Sequence, residues 1–299
     1  MTATPALSVL VASRNRSGLL RGLLQSLDTA AATAAVVIET IVADNGSQDD
    51  TPALLATWGA TGPWRASVRV EEPGKARALN RALALSTAPL LAFVDDDEMV
   101  APAWARGVVA FCAAHCEYDA GVGSVLPPLS FQDPVLRERL DWYRTIAFFD
   151  GGDAVRDMDT LYGGNMVLRR GVLEIVRGFD ERLGPGAQGG WEDIDLARRL
   201  QQAGFRIGYM PGAAVYHAVD PARLTLEYFR QHSRVAARSA YRMNPRLWRR
   251  SLPRLVEAAF AFGLASALRR PRAREHARGR LIRHGEMLRL RLTDRRTGG

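Results

Sequence analysis

The stretch LLAFVDDDEMV, residues 90–100, runs an apolar segment straight into Asp95, Asp96, Asp97 and Glu98. Acids this close repel one another, and unless a cation lies between them one is driven to a raised pKa. Oxygen-only ligands of this kind suit Mg2+ or Mn2+, ions that in such sites bridge phosphate oxygens. The other reading is a solvated turn whose aspartate caps the following helix. Asp44, in VADNGS, stands in the same way at the end of an earlier apolar run. Further on, GGWEDIDLARRLQQAG puts Glu192 and Asp193 in the first turn of a helix predicted over 192–203, where acids suit the positive end of the dipole, with Gly204 as its stop.

The elements that must position these acids alternate. LSVLVA (7–12) predicts a buried strand, followed by a helix over 17–27. VVIETIVA (36–43) predicts a second strand, and the turn after it leads into a helix at Pro52. ASVRV (66–70) and LLAFV (90–94) predict two more, with helices over 74–86 and 102–116. Strands alternating with helices imply an α/β fold, a mostly parallel sheet with helices on both faces. In such sheets ligands bind beyond the carboxyl ends of the strands, which is where Asp44 and the acid run fall. The loop DGGD (150–153) is the expected mobile segment.

A chain of 299 residues with 47% hydrophobic content can bury one large core and a small appendage. Its start, MTATPALSVLVASRN, has no basic region ahead of an apolar run, so no secretory leader is expected and a cytoplasmic location is. Cys112 and Cys116, with His115 between them, are too few ligands for structural zinc and read as reduced thiols. The net charge of +8 hides a division: residues 1–220 hold 20 basic and 27 acidic groups, whereas 221–299 hold 20 basic, all arginine, and 5 acidic. A domain over 1–220 and an Arg-rich helical extension over 221–299 follow, with helices predicted at 221–242, 246–268 and 272–291. Arginine among Leu, Phe and Ala suits an anionic membrane surface, here the inner face. Solvated helices packed on the core, or a homo-oligomer contact, are the other readings, and no nucleic-acid recognition motif accompanies the charge. The longest apolar run there, LVEAAFAFGLASAL (255–268), contains Glu257 and is too short to span a bilayer. Lys75 is the only lysine in the chain.

In order along the chain, SVLVASRNR, IVADNGSQDDT, GKARALNRAL, FVDDDEM, GGNMVLRRGVL, GFDERL and GGWEDIDLARRLQQAGFRIGYMPGAAVYH resemble the ordered motifs of family 2 glycosyltransferases, which have the GT-A fold. The resemblance covers about residues 7–217. It implies an inverting hexosyl- or deoxyhexosyltransferase that moves one sugar from a nucleotide-diphosphate donor to a hydroxyl acceptor, in cell-surface polysaccharide, glycolipid or glycosylated-metabolite synthesis. By the same resemblance Asp44 hydrogen-bonds the nucleotide base, Asp95 and Asp96 lie at the ribose, and Asp97 ligates Mn2+ or Mg2+ with His217 as a further ligand. Ser13, Asn15, Lys75 and Asn80 would belong to the donor-nucleotide site. Asp193 would deprotonate the acceptor with Glu192 in support, and Gly163, Gly164, Asn165 and Trp191 would face the acceptor, the glycines by allowing close approach. Asp44 suits a uracil or thymine imide, which favours UDP or dTDP sugars.

Two departures matter. QHSRV (231–235) has Val where polymerising members have Trp, and the tail has no apolar run long enough to span a bilayer, so transfer of a single sugar is favoured over polymerisation; Arg14 stands where an aromatic residue that could stack on the base is common. Two other readings stay open. A sugar-phosphate nucleotidyltransferase would favour a Gly-rich loop where VASRNRSG has one glycine. A non-catalytic nucleotide-sugar-binding module would be expected to lose acids that are all present.

Overall fold

A computed structural model describes residues 4–297 apart from 35, 129, 144, 147, 188 and 189. The chain forms two compact units. One is built from the chain up to Pro128, Phe148–Ala187 and Glu192–Ala218; the other takes 129–147, 188–191 and everything from Val219 on. The second unit therefore contains the expected Arg-rich extension together with two short segments from within residues 1–220.

The first unit runs β1 (Leu7–Ser13), α1 (Ser17–Ala34), β2 (Ile38–Asp44), α2 (Thr51–Gly59), β3 (Arg65–Arg69), α3 (Lys75–Leu85), β4 (Leu90–Phe93), β5 (Glu98–Val100), α4 (Trp104–Ala114) and β6 (Ala120–Leu126). After α5 (Pro134–Tyr143), which belongs to the second unit, it resumes with β7 (Met166–Arg169), α6 (Val172–Val176), α7 (Glu192–Gln202) and β8 (Ile207–His217). The sheet order is β3-β2-β1-β4-β7-β6-β8-β5. The first four neighbours are parallel, as the alternation predicts, but β7 and β5 run antiparallel to theirs, so the sheet is mixed.

Both faces are covered because β1 alternates: Leu7, Val9 and Val11 join the core under α1 and α4, and Leu10 joins the core under α3 and α7. On α1 the spacing of Leu20, Leu23, Leu24 and Leu27 makes one buried stripe, each leucine contributing about 2 kcal/mol. Gly204 ends α7 as expected: its φ of +86° lets Phe205 N–H donate back to Leu200 O at 3.0 Å. The DGGD segment is tied down, since the Tyr209 hydroxyl accepts from Gly151 N–H at 3.2 Å and donates to Gly152 O at 2.9 Å. Cys112 and Cys116 are both free, and burial pushes the Cys112 thiol up to about 11, which keeps it inert.

The second unit adds α8 (Leu226–Met243), α9 (Ser251–Ala267) and α10 (Pro271–Thr297), with short 3-10 turns at Pro221–Leu224 and Pro245–Arg250. Thr225 caps α8 by accepting from Tyr228 N–H at 3.2 Å. Gly279 of α10 allows α8 to approach closely, since a Cβ there would lie 2.5 Å from the Phe229 ring. Among the described residues no helix is long and apolar enough to cross a membrane.

Candidate active site

β1, β2 and β4 end side by side, with Ser13 in register with Asp44, so the acid run leaves the sheet at the same edge. After the turn at 95–97 the chain enters β5, which runs along β8 with Glu98 opposite His217. That pairing carries the end of β8 to the acids.

The four acids are dealt with one by one. Asp95 Oδ1 meets the Lys75 ammonium at 2.5 Å; burial pushes its pKa up, but Lys75 outweighs that and holds the carboxyl below its ordinary value. Asp96 accepts from Ser13 Oγ at 2.7 Å and from Arg16 at 2.8 Å, yet burial leaves its pKa raised. Asp97 meets the same Arg16 nitrogen at 3.0 Å and faces His217 Nε2 at 3.6 Å. Glu98 turns inward beneath Gly164, 2% exposed, and burial with Asp95 and Asp97 nearby drives its pKa well up. The repulsion expected of the run is thus relieved by Lys75 and by Arg16, and it shows in the raised pKa of Glu98.

His217 carries a further constraint. Its Nδ1 lies 2.6 Å from Ala218 O, a pure acceptor, so Nδ1 carries a proton and Nε2 is the nitrogen that faces Asp97. A carboxylate and an imidazole nitrogen facing each other across 3.6 Å, too far to hydrogen-bond, form a donor set that fits a divalent cation. Among the described residues no three His, Cys, Asp or Glu side chains gather as a metal cage, so the chain itself offers two ligands. That is the number a Mg2+-type ion takes from protein when phosphate and water complete its shell.

The expected catalytic pair lies beside Lys75. Glu192 Oε1 is 3.3 Å from the ammonium, whose pKa burial would lower but Asp95 and Glu192 raise well above its ordinary value. Asp193 accepts from Gly163 N–H at 2.9 Å and from Ile194 N–H at 2.8 Å. Burial, then Glu192, lifts its carboxyl to about 6 against those donors and Lys75. A carboxylate poised there is ionised at neutral pH and can still take a proton. A Cβ at Gly163 would touch Asp193 Oδ2 at 3.4 Å and Lys75 Nζ at 3.6 Å, so this glycine leaves the approach to both open.

Ser13, Lys75, Asp95, Asp96, Asp97, Glu192, Asp193, Gly163 and His217 are thus linked through contacts within one unit. Asp44 is nearby but engaged: Oδ1 caps the turn by accepting from Ser47 N–H at 2.9 Å, and Oδ2 pairs with Arg69 at 3.1 Å. Asn15, at φ +54°, accepts from Gln48 N–H and ties β1 to the loop after β2.

Three expectations are corrected. Asn165 is fully buried, its amide donating to Ser124 O and Ala213 O and accepting from the Trp104 indole, so it braces the floor of the site and faces no acceptor. Gly164 is required by Glu98, whose Oε1 a Cβ would meet at 2.0 Å, and not by a sugar. Asn80 is bonded to Phe179 and Glu181, anchoring a loop. Trp191 lies in the second unit with Arg283 5.4 Å over its ring. Glu98 reads in the sequence only as one acid of the run, and Arg16 carries no motif of its own; Arg16 was findable, because it follows β1 at the edge where the acids emerge.

The profile of glycosyl transferase family 2 matches residues 8–176. Among solved structures, the mannosyltransferase PcManGT from Pyrobaculum calidifontis, in complex with GDP-Man and Mn2+, aligns with a TM-score of 0.56 at 20% identity, over 98% of this chain and 76% of that one. Residues 1–349 of S. aureus TarS align with a TM-score of 0.52 at 19% identity, over 77% of this chain and 64% of that one. The same TarS segment has been solved with UDP-GlcNAc. These likenesses establish the fold as GT-A with a helical C-terminal extension. The uncharacterized protein y4gI of Sinorhizobium fredii is 28% identical over 247 residues, 75% of this chain, and the chain spans 25% of its length.

Proposed function

The chain belongs to glycosyltransferase family 2, and on that premise we propose that it transfers one sugar, with inversion, from a nucleoside-diphosphate donor to an acceptor hydroxyl. The observation that carries the reading is the Asp193 carboxyl, lifted to about 6 and joined through Lys75 to the acid run. As the acceptor oxygen attacks the anomeric carbon, Asp193 takes its proton while the bond from that carbon to the diphosphate oxygen breaks on the opposite face. Glu192 raises the proton affinity of Asp193 by repulsion, and the Lys75 ammonium opposes that rise. Asp97 and His217 would hold Mn2+ or Mg2+, which supplies positive charge to the departing diphosphate. Arg16, on the other oxygen of Asp97, brings a fixed cation to the same place. Asp44 is the residue whose motif position suits a pyrimidine imide, so UDP and dTDP sugars lead the proposed donor series. The acceptor class is a hydroxyl of a glycolipid, cell-surface polysaccharide or glycosylated metabolite.

The test is to mix the protein with UDP, dTDP and GDP sugars and Mn2+ and to follow release of nucleoside diphosphate. Release that requires a hydroxyl acceptor supports transfer; pyrophosphate formed from a sugar phosphate and a nucleoside triphosphate points to a nucleotidyltransferase. A non-catalytic module would only bind, with a donor at 100 times its Kd adding about 2.7 kcal/mol to stability. A pH series adds a second check. Because only ionised Asp193 accepts a proton, kcat/KM is expected to rise with pH through about 6 and level off above it. A profile that falls over that range takes Asp193 out of the role.

A further inference from the structure

In the second unit α8 and α9 both pack on α10, and the three helices, with Tyr143 and Trp191, line an open hollow of about 910 Å3. Its walls are mostly apolar, with Phe229 from α8, Leu264 and Leu268 from α9 and the Trp191 ring. Every charged side chain on them is basic, Arg280 and Arg283 among them, and no aspartate or glutamate is found there among the described residues. Four arginines on the same helices are matched: Arg238 and Arg289 pair with Glu286, and Arg274 and Arg278 with Glu275. Arg280 and Arg283 meet no carboxylate among the described residues. Arg283 rests on Trp191, and burial together with Arg254 pushes its pKa below the ordinary value. Unmatched cations beside an apolar hollow suit an anion that brings its own apolar chain.

The outer face of α9 says where that anion comes from. Leu252, Val256, Phe260, Leu264 and Leu268 recur every four residues and are 50% to 74% exposed, opposite the packed Ser251, Ala258 and Ala265. A helix apolar on all sides is normally buried. Leu264 and Leu268 belong both to this ridge and to the cavity wall, so the two are continuous. A second copy is a poor cover for the ridge, since residues 221–299 carry 20 arginines against 5 acids and two such surfaces repel. An anionic bilayer attracts the same charge.

We propose that the cavity binds one anionic phospholipid, taken from a bilayer surface on which the exposed ridge of α9 rests. The inference does not depend on the reading of the catalytic unit, because its readout involves no nucleotide. The full-length protein is sedimented with vesicles of phosphatidylcholine alone and of phosphatidylcholine mixed with phosphatidylglycerol. Binding is expected only with the anionic vesicles. Arg280→Gln/Arg283→Gln is expected to weaken it about 30-fold, each arginine near such a surface contributing about fivefold. Arg246→Gln/Arg249→Gln removes the same charge from the turn before α9, away from the cavity, and is expected to cost a small fraction of that. Equal losses from the two pairs, or equal binding to phosphatidylcholine, overturn the proposal in favour of diffuse charge. Phe260→Ser/Leu264→Ser, at exposed positions, is expected to cost at least about tenfold, and unchanged binding removes the ridge. Short-chain phosphatidylglycerol, kept monomeric, is expected to shift the tryptophan fluorescence of the parent protein but not of Trp191→Phe. No shift, or an equal shift with inorganic phosphate, overturns the lipid site.

Discussion

Asp193→Asn is expected to slow sugar transfer by about 10² to 10⁴ while donor affinity changes little, since a general base acts on the acceptor proton and not on the nucleotide. The substitution is not isosteric in its bonding. Each carboxylate oxygen of Asp193 accepts a backbone N–H, from Gly163 and from Ile194, and the amide of Asn offers only one acceptor. One N–H therefore loses its partner, a cost of about 1–3 kcal/mol, opposed by relief of the repulsion from Glu192. A thermal melt separates the two effects: a small shift in Tm with the large fall in rate identifies the base. Near-normal turnover in folded Asp193→Asn protein would remove this residue from the mechanism.

Asp97→Asn is expected to lower transfer at least about 100-fold and to abolish the tightening of nucleoside-diphosphate binding by Mn2+, read by calorimetry with and without the ion. Arg16 keeps its bond to Asp96 in that variant, so the turn at 95–97 stays anchored and the loss reports on charge. His217→Ala should lose the same Mn2+ linkage. Full activity in EDTA overturns the cation reading and leaves Arg16 as the cation at the diphosphate.

The strands that carry the site were legible because parallel strands buried on both faces read as mostly apolar runs, as β1, β2 and β4 do despite Ser8, Glu39 and Thr40. The far half of the sheet was not: β6, β7 and β8 are separated by a long excursion into the second unit, and nothing in their composition says which neighbour each will take. The motif positions located the acids correctly along the chain but were silent on what each side chain touches. Asn165 and Asn80 sit in the right motifs, yet their amides are taken up by backbone and Glu181, because a buried amide must find partners wherever the fold supplies them. Glu98 read as one more acid of a run; its inward turn depends on the space left by Gly164, a residue far along the chain. The extension read as an appendage beginning near 221, but the helical unit recruits 129–147 and 188–191, stretches whose local composition does not set them apart.

Lys75 has a use outside catalysis. Apart from the chain's amino terminus, its amine is the one primary amine that an acylating reagent can find. Such reagents need the free base, and an ammonium clasped by Asp95 and Glu192 yields it only rarely. The native chain is therefore poorly labelled at this lysine. Anything that draws either acid away, such as a bound ligand or a substitution, makes the same nitrogen reactive, and the mass added per molecule becomes a direct count of how often the clasp is open.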